Sequence, residues 1–121
     1  MNIEKINLEE KFSLFSDQWS PKIIGQLNGQ DVKLAKVEGE FVWHDHANED
    51  ELFYVVKGSL RLQFRDKYIT LNQGEMCVVP RGVEHKPVAK EETWLMLFEP
   101  SSIKHTGEVR DEKTVDKYQR I

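Results

Sequence analysis

The feature that most constrains this chain is a change of rhythm at Lys22. From there to Phe98 the sequence breaks into short β-forming runs, most with apolar residues at alternate positions, separated by turn signals. Residues two apart on a strand share a face, so such alternation builds sheets with one face turned to a core. Ile23 to Leu27 runs into Asn28-Gly29, a strong two-residue hairpin signal. Val32, Leu34 and Val37 lie on the returning strand until Gly39 interrupts it. Phe41 to His46 and Leu52 to Val56 are strand-like, joined by polar residues 47–50. After the Lys57-Gly58 turn, Leu60, Leu62 and Phe64 alternate with Arg61, Gln63 and Arg65. Tyr68 to Leu71, Met76 to Val79 and Trp94 to Phe98 complete the set. Asn72-Gln73-Gly74, Pro80-Arg81-Gly82 and Lys90-Glu91-Glu92 divide them. Many short strands with Gly or Pro turns predict an antiparallel all-β sandwich or barrel over residues 22–100.

Residues 1–20 read differently. Asn7 is a helix N-cap, and Glu9 and Glu10 sit in the first turn, where the helix dipole favours acid. Leu8, Phe12, Phe15 and Trp19 recur at helical steps, and Pro21 stops the run. This stripe predicts a helix packed on the outside of the barrel, with partner binding as the alternative. Residues 101–121 form a polar tail whose apolar members, Ile103, Val109, Val115 and Ile121, are too sparse for a core. The tail is expected to wrap the surface or to be partly mobile.

The whole chain, 1–121, is expected to be one domain, since 121 residues suffice to bury roughly two thirds of the unfolded surface. Cys77 is the only cysteine, so no intrachain disulfide forms. The first dozen residues lack the apolar run of a secretory signal, and nothing approaches a membrane span; the expectation is a cytoplasmic protein. Seventeen basic against 21 acidic residues give a net charge of −4, which argues against nucleic acid as a partner. The nearest thing to a basic stripe, Arg61, Arg65 and Lys67, reads as a solvated strand face.

The residues that carry chemistry are histidines and an acid. His44 and His46 are two apart, so on a strand they project in parallel, about 7 Å apart by strand rise. Such a pair can converge on one ion. Glu51 opens the next strand, and His85 follows the Pro80-Arg81-Gly82 turn. Glu49 and Asp50 are alternative acids; Asp50 is the serious rival, with the shorter side chain. The fourth histidine, His105, lies in the charged tail and reads as a surface residue. Cys77 sits mid-strand in an apolar run, where an inert thiol is the default. Arg81 and Lys86 flank His85 and can reach a barrel mouth to hold an anion, or serve as solvated turn charges.

These residues closely resemble the two motifs of the cupin superfamily. The first, G-x5-H-x-H-x(3,4)-E-x6-G, is met by Gly39, His44, His46, Glu51 and Gly58, with Gly39 one residue closer to His44 than the pattern asks. The second, G-x5-P-x-G-x2-H-x3-N, is met by Gly74, Pro80, Gly82 and His85, with Ala89 in place of the final Asn. The resemblance covers about residues 25–100. It implies a jelly-roll barrel of the small type called mannose-6-phosphate-isomerase-like, commonly a homodimer. It also implies one divalent transition metal on His44, His46, Glu51 and His85. Three imidazoles and a carboxylate suit Fe, Mn, Co, Ni, Cu or Zn.

Stepping by two from the ligands places Val42, Phe53 and Val55 on the same inward faces, so an apolar pocket wall is expected. The first functional expectation is a metal-dependent enzyme, isomerase or dioxygenase in type, acting on a small oxygen-rich metabolite. The second is a non-catalytic binding or sensing barrel, and the third a structural subunit. A sugar-phosphate substrate would want a strong basic clamp, which the sequence does not offer. The apolar helix stripe and the strand edge near Ile23 are the surfaces expected to join two copies.

Overall fold

The computed structural model describes residues 3–101 and 118–121. One short helix, α1 (Leu8–Phe12), precedes β1 (Lys22–Leu27), β2 (Gln30–Glu40), β3 (Glu51–Lys57), β4 (Ser59–Gln63), β5 (Tyr68–Asn72), β6 (Met76–Val79), β7 (Lys86–Pro100) and β8 (Gln119–Arg120). The strands hydrogen-bond in the order β5-β4-β7-β2-β1-β8, and β3 pairs with both β6 and β7. This is the jelly-roll barrel the motifs imply. The first hairpin closes as expected: Asn28 and Gly29 both have positive φ, 51° and 74°, which a two-residue type I′ turn requires.

β7 joins the layers. Its first residues, Lys86–Val88, pair with Gln63–Arg61 of β4, while Trp94–Phe98 pairs with β3. Between them the register against β2 shifts, from Gly39↔Ala89 to Val37↔Thr93. Here the structure corrects the sequence reading. Lys90-Glu91-Glu92 does not separate strands; it is the exposed bend inside one 15-residue strand. Local charge mimics a turn because the bend leaves these side chains in water.

Alternate residues face inward and form the core: Ala35 and Val37, Phe53 and Val55, Leu60 and Leu62, Leu95 and Leu97. Gly58 lies where no larger residue fits. Its φ is 97°, and a Cβ there would meet Thr93 Oγ1 at 2.7 Å and the Thr93 backbone at 3.1 Å.

A second cluster covers the outer face, where Phe12 of α1 is fully buried on Ile24 and Leu34 and stacks on Trp94 with ring centroids 4.6 Å apart. Burying a Phe contributes about 1.5–3 kcal/mol, more than five residues of helix can supply alone. The helix is far shorter than expected. Ser13 caps it, donating its hydroxyl to the Glu10 carbonyl at 2.6 Å, and Ser16, Asp17 and Ser20 are residues that favour turns over helix. Leu8, Phe12 and Phe15 stay in the outer cluster, but Trp19, with φ of 58°, packs against the inner one.

The tail also differs from expectation at its end. Gln119 and Arg120 add to β1 as a parallel strand, and Ile121 packs in the outer cluster. His105 and the rest of residues 102–117 lie outside the described residues. Both surfaces expected to join two copies are used within the chain: the helix stripe is packed on the barrel, and Ile23 pairs with Arg120. Among the described residues no helix is long and apolar enough to cross a membrane.

Candidate metal centre

Backbone pairing brings the histidines together. Residues 41–46 are not a regular strand, but they run antiparallel to 82–87 through hydrogen bonds from Phe41 N to Pro87 O, between His44 and His85 in both directions, and from Gly82 N to His46 O. His44 and His85 are thus bridge partners on facing segments. Glu51 is the first residue of β3 and faces inward, as do Phe53 and Val55. Nδ1 of His44 and Nδ1 of His85 each lie 2.9 Å from a carbonyl oxygen two residues earlier, of Val42 and Val83. A carbonyl only accepts, so each Nδ1 carries the proton and each Nε2 keeps a free lone pair.

One donor atom from each of His44, His46, Glu51 and His85 lies within 4.8 Å of the others, and all four residues are buried. Glu51 Oε1 is 3.3 Å from His46 Nε2 and 3.7 Å from His85 Nε2. The four atoms, Nε2 of each histidine and Oε1 of Glu51, are buried without a hydrogen-bond partner among the described residues. A buried polar atom left unpaired costs about 1–3 kcal/mol, so four converging ones fit a group that satisfies them together. The donor set, three imidazole nitrogens and one carboxylate, fits a first-row divalent ion, and this cluster could hold one.

The electrostatics agree with that donor set. Burial lowers the pKa of His44 to about 4, so its imidazole is neutral near pH 7. Burial opposes ionisation of Glu51, but the adjacent His46, His85 and Glu99 together outweigh it and hold the carboxyl well below its usual range.

Asp50 lies elsewhere. It accepts from Arg81 N at 2.9 Å and lines a separate cleft of about 280 Å³ together with Arg81. Lys86 pairs with Glu40 at 2.7 Å, and Arg65 with Glu84. Neither Arg81 nor Lys86 joins the histidines. Cys77 is half-buried, and burial pushes its thiol pKa up, consistent with an inert role.

A cavity of about 30 Å³ reaches His44 and Glu51 between walls that include Trp19, Pro21, Phe41, Phe53, Pro87 and Leu97. Of the three residues expected to line it, Phe53 does. Val55 is fully buried in the core, and Val42 instead places its carbonyl against His44. Trp19 was placed on the helix by its spacing and is found here, stacked on Phe41 with centroids 4.5 Å apart and its indole N–H donated to Glu38 O. Also unforeseen are Lys33 and Glu99, fully buried and 2.9 Å apart. Their signal was present, since each is a charge at an inward position, in step with Ala35 and with Leu95 and Leu97.

The model of the cupin domain matches residues 30–99. A cupin-2 domain-containing protein from Shewanella frigidimarina is similar in structure, with a TM-score of 0.78 and 58% identity over 78% of this chain and 93% of that one. The uncharacterized protein YdbB of Bacillus subtilis is 35% identical over 80 residues, 65% of each chain. The 3-hydroxyanthranilate 3,4-dioxygenase 2 of Aspergillus fumigatus is 32% identical over 77 residues, 57% of this chain and 40% of the dioxygenase. The chain therefore spans less than two thirds of either curated relative. The match runs from the first residue of β2 nearly to the end of β7, over more than half the chain and around all four donor residues, and by it this chain belongs to the cupin family.

Proposed function

We propose that this chain holds one divalent first-row transition ion on His44, His46, Glu51 and His85 and acts, through it, on a small, largely apolar metabolite with one oxygen-rich end. The four buried, unpartnered donor atoms carry this reading. When bound, the ion supplies Lewis-acid polarisation of a chelating oxygen and, if it is iron, reaction with dioxygen. The chain's own part is to present lone pairs and exclude water. Val42 and Val83 fix the tautomers of His44 and His85, and Phe41, Phe53 and Leu97 keep the approach apolar. Among the described residues no Lys or Arg lines this cavity, which argues against a phosphorylated sugar and so against the mannose-6-phosphate-isomerase type. The similarity to a dioxygenase supports an oxygenase over an isomerase.

Elemental analysis of protein purified without a metal-affinity tag tests the ion: about one per chain is expected. Near-zero content of every first-row metal after anaerobic reconstitution refutes it. Oxygen uptake with a panel of aromatic diols, aminophenols and hydroxy-carbonyl compounds then tests turnover. A non-catalytic binding or sensing role is the second reading, and the size of the cavity favours it: about 30 Å³ admits only a water or two. A tight ligand recovered unchanged would decide for that reading.

A cytoplasmic location and a homodimer complete the proposal. The pairing surface moves to β6, an edge strand that bonds only β3 among the described residues and exposes Met76 and Val78. A sedimentation mass of one 14.2 kDa chain at micromolar concentration would refute the dimer.

A further inference from the structure

We propose that the outer face of β5, β4 and β7 carries a second ligand site, a cleft in which Arg61 and Lys90 hold the phosphate group of a small organic phosphate. None of the four donors of the metal centre lines this cleft, so the proposal does not depend on the ion.

Arg61 of β4 pairs with Thr70 of β5 on one side and Val88 of β7 on the other, so the three lie abreast. Its neighbours Leu60 and Leu62 are fully buried, which turns Arg61 to the outer face. Toward the start of β4, Gly58 and Ser59 meet the bend of β7, and with Lys90 and Glu91 they complete a cleft of about 370 Å³. Small-molecule sites span about 300–1,000 Å³, so the cleft is large enough for a small metabolite. Its walls are tied by the buried hydroxyl of Thr93, which lies 2.9 Å from Ser59 O and 3.1 Å from Glu91 O and accepts from Ser59 N at 3.3 Å. The start of β4 and the bend of β7 are thereby fixed to each other, and the cleft is preformed.

The basic residues near this face differ in what they touch. Arg65 holds both oxygens of Glu84, at 2.7 and 3.0 Å, and Lys86 holds Glu40 at 2.7 Å. Arg61 and Lys90 have no acidic partner among the described residues. The Arg61 guanidinium instead lies over the Tyr68 ring, 4.6 Å from its centroid. That contact restrains the guanidinium and leaves its N–H donors to a ligand. A planar fork of donors matches two oxygens of a phosphate, and a lysine adds a point charge beside it. The hydroxyl of Thr70 and that of Ser59, which is 3.1 Å from Asn72 Oδ1, add polar lining. Two cations against one acid, Glu91, favour a ligand with more than one negative charge. A phosphate monoester carries about −1.5 to −2 at pH 7, a single carboxylate only one. The chain as a whole is at −4, so the cleft is a local reversal of sign.

The test titrates inorganic phosphate, glycerol phosphate and acetate into the full chain as purified, with chloride holding the ionic strength constant, and follows the backbone amide signals by NMR. Both phosphates should give saturable shifts centred on Ser59, Arg61, Thr70, Lys90 and Glu91, and acetate should bind more weakly. Arg61→Gln and Lys90→Gln should each weaken phosphate binding about 10-fold or more. Arg65→Gln should leave it unchanged, because Arg65 is engaged with Glu84. Glu91→Gln should tighten it by removing the one negative charge in the cleft. The amide spectrum of each variant also reports whether it folds; should Arg61→Gln not fold, Lys90→Gln on the exposed bend decides. Shifts that do not saturate, or that are no larger in the cleft than at Arg81 and Lys86, would overturn the proposal. So would an Arg65→Gln loss equal to that of Lys90→Gln, weaker binding in Glu91→Gln, acetate binding as tight as phosphate, or inorganic phosphate binding where glycerol phosphate does not.

Discussion

Two polar clusters share the barrel interior, and they are buried to the same degree. His44, His46, Glu51 and His85 are 1–5% exposed, and Lys33 and Glu99 are 0%. Their hydrogen bonding separates them. In the first, four donor atoms converge, none with a hydrogen-bond partner among the described residues. In the second, the amine of Lys33 and one oxygen of Glu99 satisfy each other at 2.9 Å, and a single oxygen is left without a partner among the described residues. Burial of charge by itself therefore does not mark a binding site. Convergent unmet lone pairs do, because each is a desolvation cost that only an external group can recover.

The contrast makes its largest prediction at the first cluster. His46→Ala and His85→Ala should each weaken metal affinity more than about 100-fold, beyond what removing an outer partner does. Asp50→Asn should leave affinity unchanged, because Asp50 is engaged with Arg81, whereas Glu51→Gln should not. Competition titration measures all four, and an Asp50→Asn effect larger than that of Glu51→Gln would move the carboxylate ligand.

The second cluster predicts a loss of stability. Glu99→Met alone strands a buried ammonium and should cost about 3–5 kcal/mol in denaturant unfolding of metal-free protein, most of it returned by adding Lys33→Met. Equal losses in the single and the double variant would show that the pair stabilises by attraction and not merely by mutual neutralisation.

A third test uses pH. The pKa of His44 is about 4 in the folded chain, against 6.5 for the unperturbed group. Between those values the unfolded chain takes up a proton that the folded one refuses, so stability falls as pH drops from 6.5 to 4. The full loss is about 3 kcal/mol, reached below pH 4. Urea unfolding of metal-free wild type and His44→Asn across this range should show the extra slope only in wild type. Parallel curves would mean that the imidazole is not desolvated.

The smallest effect is a control outside both clusters. Asn7 caps α1 by accepting from Glu10 N at 3.0 Å, so Asn7→Ala should cost about 1 kcal/mol and leave metal affinity untouched. A change in affinity would show that the outer helix couples to the interior.

Much of this was legible in the chain before it folded. Alternation set which residues of β3 and β4 face inward, and Asn28-Gly29 set the first hairpin, because both depend only on local backbone geometry, whereas β2 is buried on both faces from Lys33 to Val37. The His-x-His pair, Glu51 and His85 were legible as a set through their resemblance to the two cupin motifs. The helix was misjudged in length because periodicity extends through residues whose side chains favour turns, and β7 was cut short because an exposed bend reads like a loop. What only the tertiary structure decided is of another kind. Trp19 lines the cavity because residues 13–20 leave the helix and run back to Lys36, whose carbonyl accepts from the Trp19 backbone N–H. Lys33 meets Glu99 across 66 residues of sequence because β2 and β7 lie side by side. A period of two says that a charge faces inward. Which partner waits there is settled by the order of strands in the sheet, which is a property of long-range pairing and not of any local stretch.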